Sequence, residues 1–160
     1  MRGKPEVYGT LDKMGIDYRV IEHQPVYTIE EMEGIGFPEG TEVVKNLFLR
    51  DAKGKRHFLV ILAGDKTANL KELGGAVGAG NLSFASPERL QKYLKLEKGA
   101  VSPLGILNDE TAAVEVILDR GLENHNMVGV HPNVNTATVL LRFQDIVGII
   151  QKNGNSITYI

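Results

Sequence analysis

The sequence predicts an α/β (α+β) domain with one mixed, largely antiparallel central sheet, or partial barrel, flanked by helices. Helical and strand patterns alternate along the whole chain, with no repeat, low-complexity tract or linker between them. Two apolar strands, residues 43–50 and 56–63, are joined by Asp51-Ala-Lys-Gly54-Lys, whose turn-forming residues make a hairpin and argue against a purely parallel doubly wound sheet. The 160 residues fit one domain, taken as residues 1–160, long enough to bury most of its apolar surface without staples.

The elements follow in order. Val7, Leu11 and Met14 share a helical face that Gly15 ends. Thr28 with Glu31 forms a capping-box pattern for a short helix through Met32. The second hairpin strand contains Phe58-Leu-Val-Ile-Leu-Ala63, apolar on both faces, so it should be central and covered on both sides. Gly74-Gly75-Ala-Val-Gly78-Ala-Gly80 reads as a loop. Ser86 and Pro87 are N-cap and first-turn residues for a helix carrying Leu90, Tyr93 and Leu94. Residues 114–118, 127–130 and 137–141 read as strands. Phe143, Ile146, Val147 and Ile150 follow the spacing of an amphipathic helix ended at Asn153-Gly154, and residues 156–160 offer an edge strand.

Composition removes several chemistries. There are no cysteines, hence no disulfide, zinc–thiolate site or cysteine nucleophile. The first residues lack the apolar stretch of a signal peptide and no run reaches membrane-helix length, so a cytoplasmic protein without a membrane partner is expected. The glycine cluster is not G-x-G-x-x-G. Gly64-Asp-Lys66-Thr67 resembles the end of a phosphate loop, but Leu59 stands where its first glycine belongs. No G-x-S-x-G elbow exists, and His23, His57, His125 and His131 make no H-E-x-x-H, so neither metal nor other cofactor is expected. The net charge of -2 is unevenly spread. Residues 45–71 hold seven basic and two acidic side chains, a local excess that either meets phosphates or is a solvated hairpin.

Three polar segments in apolar or turn contexts remain. Lys45, beside Asn46, lies inside a strand otherwise built for burial. It either snorkels to the rim, faces water from an edge, or meets an anion. Gly99-Ala100-Val101-Ser102-Pro103 is a compact loop whose amides a ligand could approach, or a plain connection. His131-Pro132-Asn133-Val-Asn135 follows an apolar strand, as a projecting site histidine or as a satisfied turn.

Together, Lys45-Asn46, the Gly-x-x-x-Pro at Gly99 and Pro103, the His-Pro-x-x-Asn at His131 and Asn135, and the loop around Gly64-Asp65 resemble the YbaK and prolyl-tRNA synthetase editing-domain superfamily over nearly the whole chain. The resemblance implies that family's fold and a trans-editing hydrolase acting on the ester of aminoacyl-tRNA. The freestanding branch that clears alanine from tRNA(Pro) is the best match. The YbaK branch, which clears cysteine, and a noncatalytic module for the tRNA acceptor end are the alternatives. It implies that Lys45 holds the phosphate or ribose of the terminal adenosine, with Asn46 beside it. The backbone of Gly99, Ala100, Val101 and Ser102, shaped by Pro103, would hold the aminoacyl group. His131 would line the side-chain pocket, a role ranked ahead of general base, with Asn135 bracing that turn; Lys45, Gly99 and His131 are the catalytic candidates. The ribose hydroxyl would assist water, so no cofactor is implied. tRNA(Pro) is the implied partner, with prolyl-tRNA synthetase a second.

Overall fold

The computed structural model describes residues 4–160. Helix α1 (Lys4–Lys13) buries Val7 and Leu11 completely. Strand β1 (Arg19–Glu22) and the short helix α2 (Ile29–Glu33) follow, and the Thr28 hydroxyl caps α2 by accepting from the Glu31 amide at 3.1 Å. Strands β2 (Thr41–Asp51) and β3 (His57–Ala63) make the hairpin, whose turn is closed by Asp51 accepting from the Lys55 and Arg56 amides. Next come α3 (Leu70–Ala76), β4 (Leu82–Phe84) and α4 (Pro87–Leu94), the last capped by Ser86. Two 3₁₀ turns, Lys98–Ala100 and Pro103–Asn108, lead into β5 (Val114–Leu118). The chain ends with β6 (Met127–Val130), β7 (Ala137–Leu141), α5 (Phe143–Asn153) and β8 (Ile157–Tyr159).

The strands form one mixed sheet in the order β1-β7-β6-β2-β3-β5-β8, with β4 also on β2. The hairpin pairing is antiparallel, as its turn requires, whereas β2–β6, β3–β5 and β5–β8 are parallel. All seven residues of β3 are buried, because the sheet is covered on both sides. One side is the main core, where Leu59, Ile61, Val116 and Leu118 meet Leu94, Ile146 and Ile150 from the helices. The other is a smaller cluster of Leu49, Phe58, Val60, Leu62 and Ile117 under Leu73 and Leu82. Truncating a fully buried ring such as Phe58 to alanine removes about 3–5 kcal/mol.

Strand β2 serves two neighbours along one edge. Thr41–Val43 pair with β6, and Leu49–Asp51 pair with β4, while β3 runs along the opposite edge. Between those stretches no strand pairs with residues 44–47 on the first edge, among the described residues. The sheet is split there.

The glycine cluster departs from the loop expected of it. Gly74 and Gly75 lie in α3, which Asn69 caps by accepting from the Glu72 amide, and only Gly78 and Gly80 take the left-handed backbone of a turn. A Cβ on Gly74 would sit 1.8 Å from the Gly80 carbonyl oxygen, so close packing, not flexibility, requires this glycine. Strands β1 and β4 are further additions. Both are short and largely exposed, and they carry little apolar alternation to read.

Candidate active site

The split in the sheet opens onto a cavity of about 170 Å³. Lys45 and Asn46 of β2, Gly99 and Val101 of the 3₁₀ loop, and Gly129 and His131 at the end of β6 line it, with Tyr27 and Lys98 at its rim. Four of the residues singled out from sequence, Lys45, Asn46, Gly99 and His131, thus meet at one place although they are far apart in the chain.

Lys45 is half-buried, and its Nζ donates to the Lys66 carbonyl at 2.5 Å. An ammonium has three protons, so two remain for another acceptor. The turn that presents this carbonyl is itself pinned. The Lys66 amide closes back on Ala63 O, Glu42 accepts from the Gly64 amide at 2.8 Å, and Asp119 accepts from the Ala63 amide at 2.9 Å. Asp119 is wholly buried at the end of β5 and also takes bonds from Gly121 N and Lys66 Nζ, the latter at 2.7 Å. Burial alone would raise its pKa. The Lys66 ammonium and the two amides outweigh that and hold the carboxyl below its ordinary value, as a carboxylate.

Asn46 presents a different situation. Its Oδ1 is buried without a hydrogen-bond partner. A buried amide oxygen left unpaired costs about 1–3 kcal/mol, so the position is one where a ligand donor would be welcome.

His131 donates Nδ1–H to the Ala137 carbonyl at 3.1 Å, because a carbonyl oxygen can only accept. That fixes Nε2 as the acceptor nitrogen of the neutral ring. Burial pushes the pKa of His131 down, the Ala137 bond opposes this, and the nearby His23 adds to the depression; the net shift is downward.

Of the remaining residues marked in the sequence, Val101 lines the cavity, while Ala100, Ser102 and Pro103 are buried behind its wall. Ser102 joins the two loops, donating to the His131 carbonyl at 2.5 Å and accepting from Leu104 N. Asn135 makes a long contact of 3.5 Å to Val26 O. At Gly99, a Cβ would lie 2.8 Å from Cε1 of Tyr27, so the loop and this ring touch because no side chain intervenes.

The basic stretch is less free than its composition suggests. Arg56 is clamped on Glu115 by two bonds of 2.7 and 2.8 Å, Lys66 is paired with Asp119, and Arg50 folds back on its own hairpin carbonyls. Lys53, Lys55 and Lys71 remain exposed. Among the described residues no cluster of His, Asp and Glu has the makings of a metal site, and no helix is long and apolar enough to cross a membrane.

Sequence reasoning did not single out Tyr27, Gly129 or Asp119, and it met Lys66 only in the phosphate-loop comparison and the basic stretch. Asp119 had a readable signal, since it directly follows a predicted strand, as does His131.

Comparison with known proteins adds the family context. The family model for the aminoacyl-tRNA editing domain matches residues 23–149. The chain is 54% identical over 156 residues to the prolyl-tRNA editing protein ProX of Acetoanaerobium sticklandii, covering 98% of this chain and 95% of that one. It is 36% identical to the mouse (Mus musculus) prolyl-tRNA synthetase associated domain-containing protein 1, covering 95% and 92%. It is 24% identical to the Escherichia coli K12 multifunctional Ser/Thr-tRNA deacylase ProXp-y, covering 88% and 84%. A crystal structure described as a candidate trans-editing enzyme for prolyl tRNA synthetase superposes with a TM-score of 0.72 at 22% identity, covering 96% and 92%, a likeness that concerns the fold alone.

Proposed function

This chain belongs to the aminoacyl-tRNA editing domain family, and from that premise we propose that it is a trans-editing deacylase that hydrolyses alanine from mischarged tRNA(Pro). The observation that carries the reading is the meeting of Lys45, the unpartnered Asn46 oxygen, Gly99 and His131 around one small cavity.

The reaction is attack of water on an ester carbonyl, with negative charge gathering on its oxygen. Such a step gains most from fixed donors and from orientation. Lys45, one proton committed to Lys66 O, keeps two for a phosphate or ribose oxygen of the terminal adenosine. Asn46 Oδ1 accepts from a ribose hydroxyl or from the amine of the amino acid. The loop at Gly99 lets the aminoacyl group lie close to backbone, and His131, neutral and donating to Ala137, shapes the side-chain end of the cavity. The ribose hydroxyl next to the ester helps align or activate the water. Size sets the choice of amino acid: a synthetase site built for proline admits the smaller alanine, and a second, smaller sieve clears it.

A panel of Ala-, Cys-, Ser- and Pro-tRNA(Pro), assayed side by side, tests this. Alanine should be released fastest with multiple turnovers, and prolyl-tRNA should be spared. Faster release of cysteine would assign the chain to the YbaK branch. Stoichiometric binding without turnover would make it a module for the acceptor end. Copurification with prolyl-tRNA synthetase would test the second partner.

A further inference from the structure

A second cavity, about 450 Å³ in volume, adjoins the first and shares Asn46, Lys98 and Val101 with it. Its other walls are Leu47 and Phe48 of β2, Phe84 and Ala85 at the end of β4, and Pro87 and Leu90 of α4. Nothing in the hydrolytic step uses it. The two cavities differ in what they can hold. Clefts for small-molecule ligands run from about 300 to 1,000 Å³. The first, at about 170 Å³, suits an amino-acid ester and part of a ribose, and the second has room for a base.

The rim supplies the chemistry. Among the described residues, the two large apolar side chains most open to solvent are Tyr27, 72% exposed, and Phe84, 62% exposed. Each lines one of these adjoining cavities. Exposed rings beside an apolar slot, with a cation close by, are what unpaired nucleotides stack upon. Lys98 is exposed and belongs to both linings, where a phosphate linking the two occupants would pass.

We infer that the Phe84 cavity is a subsite for a nucleobase of the unpaired 3′ end of the tRNA, held against the Phe84 ring while the ester occupies the neighbouring cavity. The inference rests on the deacylase reading, since that reading puts a single-stranded end at the first cavity.

The test is binding of uncharged tRNA(Pro), intact or lacking its three 3′-terminal nucleotides, to the native chain and to Phe84→Ala. One stacked base predicts about tenfold weaker binding of the intact tRNA by Phe84→Ala, no more than about a twofold change for the truncated tRNA, and recovery in Phe84→Trp. Because Phe84 is largely exposed on a three-residue strand, its removal leaves both cores intact, and an unchanged melting curve verifies this. Equal losses for the two tRNAs, or no loss, would overturn the subsite while leaving the deacylase reading in place. Failure of the native chain to bind either tRNA would overturn both. Repeating the comparison with tRNA lacking only its last nucleotide separates the terminal base from the one before it.

Discussion

The two sides of the cleft are built on opposite terms. On the Lys45 side, the turn after β3 is held by Asp119, Glu42 and its own closing bond, and the two carboxylates have partners at 2.7–2.9 Å. Along the other side, the edge of β2 away from β3 pairs with no strand over residues 44–47 among the described residues, Asn46 Oδ1 has no partner, and Tyr27 and Phe84 stand in solvent. The pinned side has committed its carboxylates to the turn that holds Lys45. The open side keeps its capacity unspent. Substitutions should therefore cost stability on the first and affinity or turnover on the second, with Lys45 as the point where the two meet.

The largest effect is expected at that junction. Lys45→Ala should lower kcat/KM for Ala-tRNA(Pro) by about 10²-fold or more, the scale for losing one preorganised donor, with little change in melting temperature. An activity close to native would remove Lys45 from the site. Next, Asp119→Ala should destabilise the fold by about 2–3 kcal/mol in urea denaturation, because it strands the buried Ala63 amide and the part-buried Gly121 amide; Lys66, already 48% exposed, can turn to water and adds little. A loss under about 1 kcal/mol would mean that water replaces the carboxylate and that the side is less rigid than described.

On the open side, Gly99→Ala should do the reverse. The new Cβ meets the ring of Tyr27, which can swing outward, so stability should change by less than about 1 kcal/mol. Deacylation, measured on the same preparation, should still fall by about tenfold as the ester is displaced from the backbone.

The smallest effect concerns pH. His131 is held below its ordinary 6.5 in the folded state, so the folded chain resists protonation that the unfolded chain accepts. Its contribution is complete above pH 6.5 and is lost as pH falls below it, levelling off once the lower folded-state value is passed. His57, depressed chiefly by burial and then by Arg89, acts in the same sense, so the His131 share is the difference between the native chain and His131→Gln. Parallel melting curves for the two from pH 7.5 to 5.5 would show that the imidazole is not shielded.

Much of the fold was legible because burial leaves a period in the sequence. The apolar strand β3 and the helix α5 declare themselves through that period. Strand β1 does not, since Arg19, Val20 and Glu22 are exposed, and α3 hides behind a glycine pair of which Gly74 packs against the Gly80 carbonyl. At the site, Lys45, Gly99 and His131 were visible as residues out of keeping with their surroundings. What the sequence does not carry is adjacency across the fold. Nothing in Tyr27 or Phe84 distinguishes them from core aromatics until the sheet leaves them outside, and Asp119 gains its meaning only from the amides that converge on it.

The gap beside β2 also equips the protein with its own reporter. Amides along a paired strand exchange their hydrogens slowly, whereas on the edge of β2 facing the cleft residues 44–47 have no strand partner among the described residues. Occupancy of the cleft should therefore be readable, residue by residue and without any label, as slowed deuterium uptake at this one stretch of an otherwise silent strand.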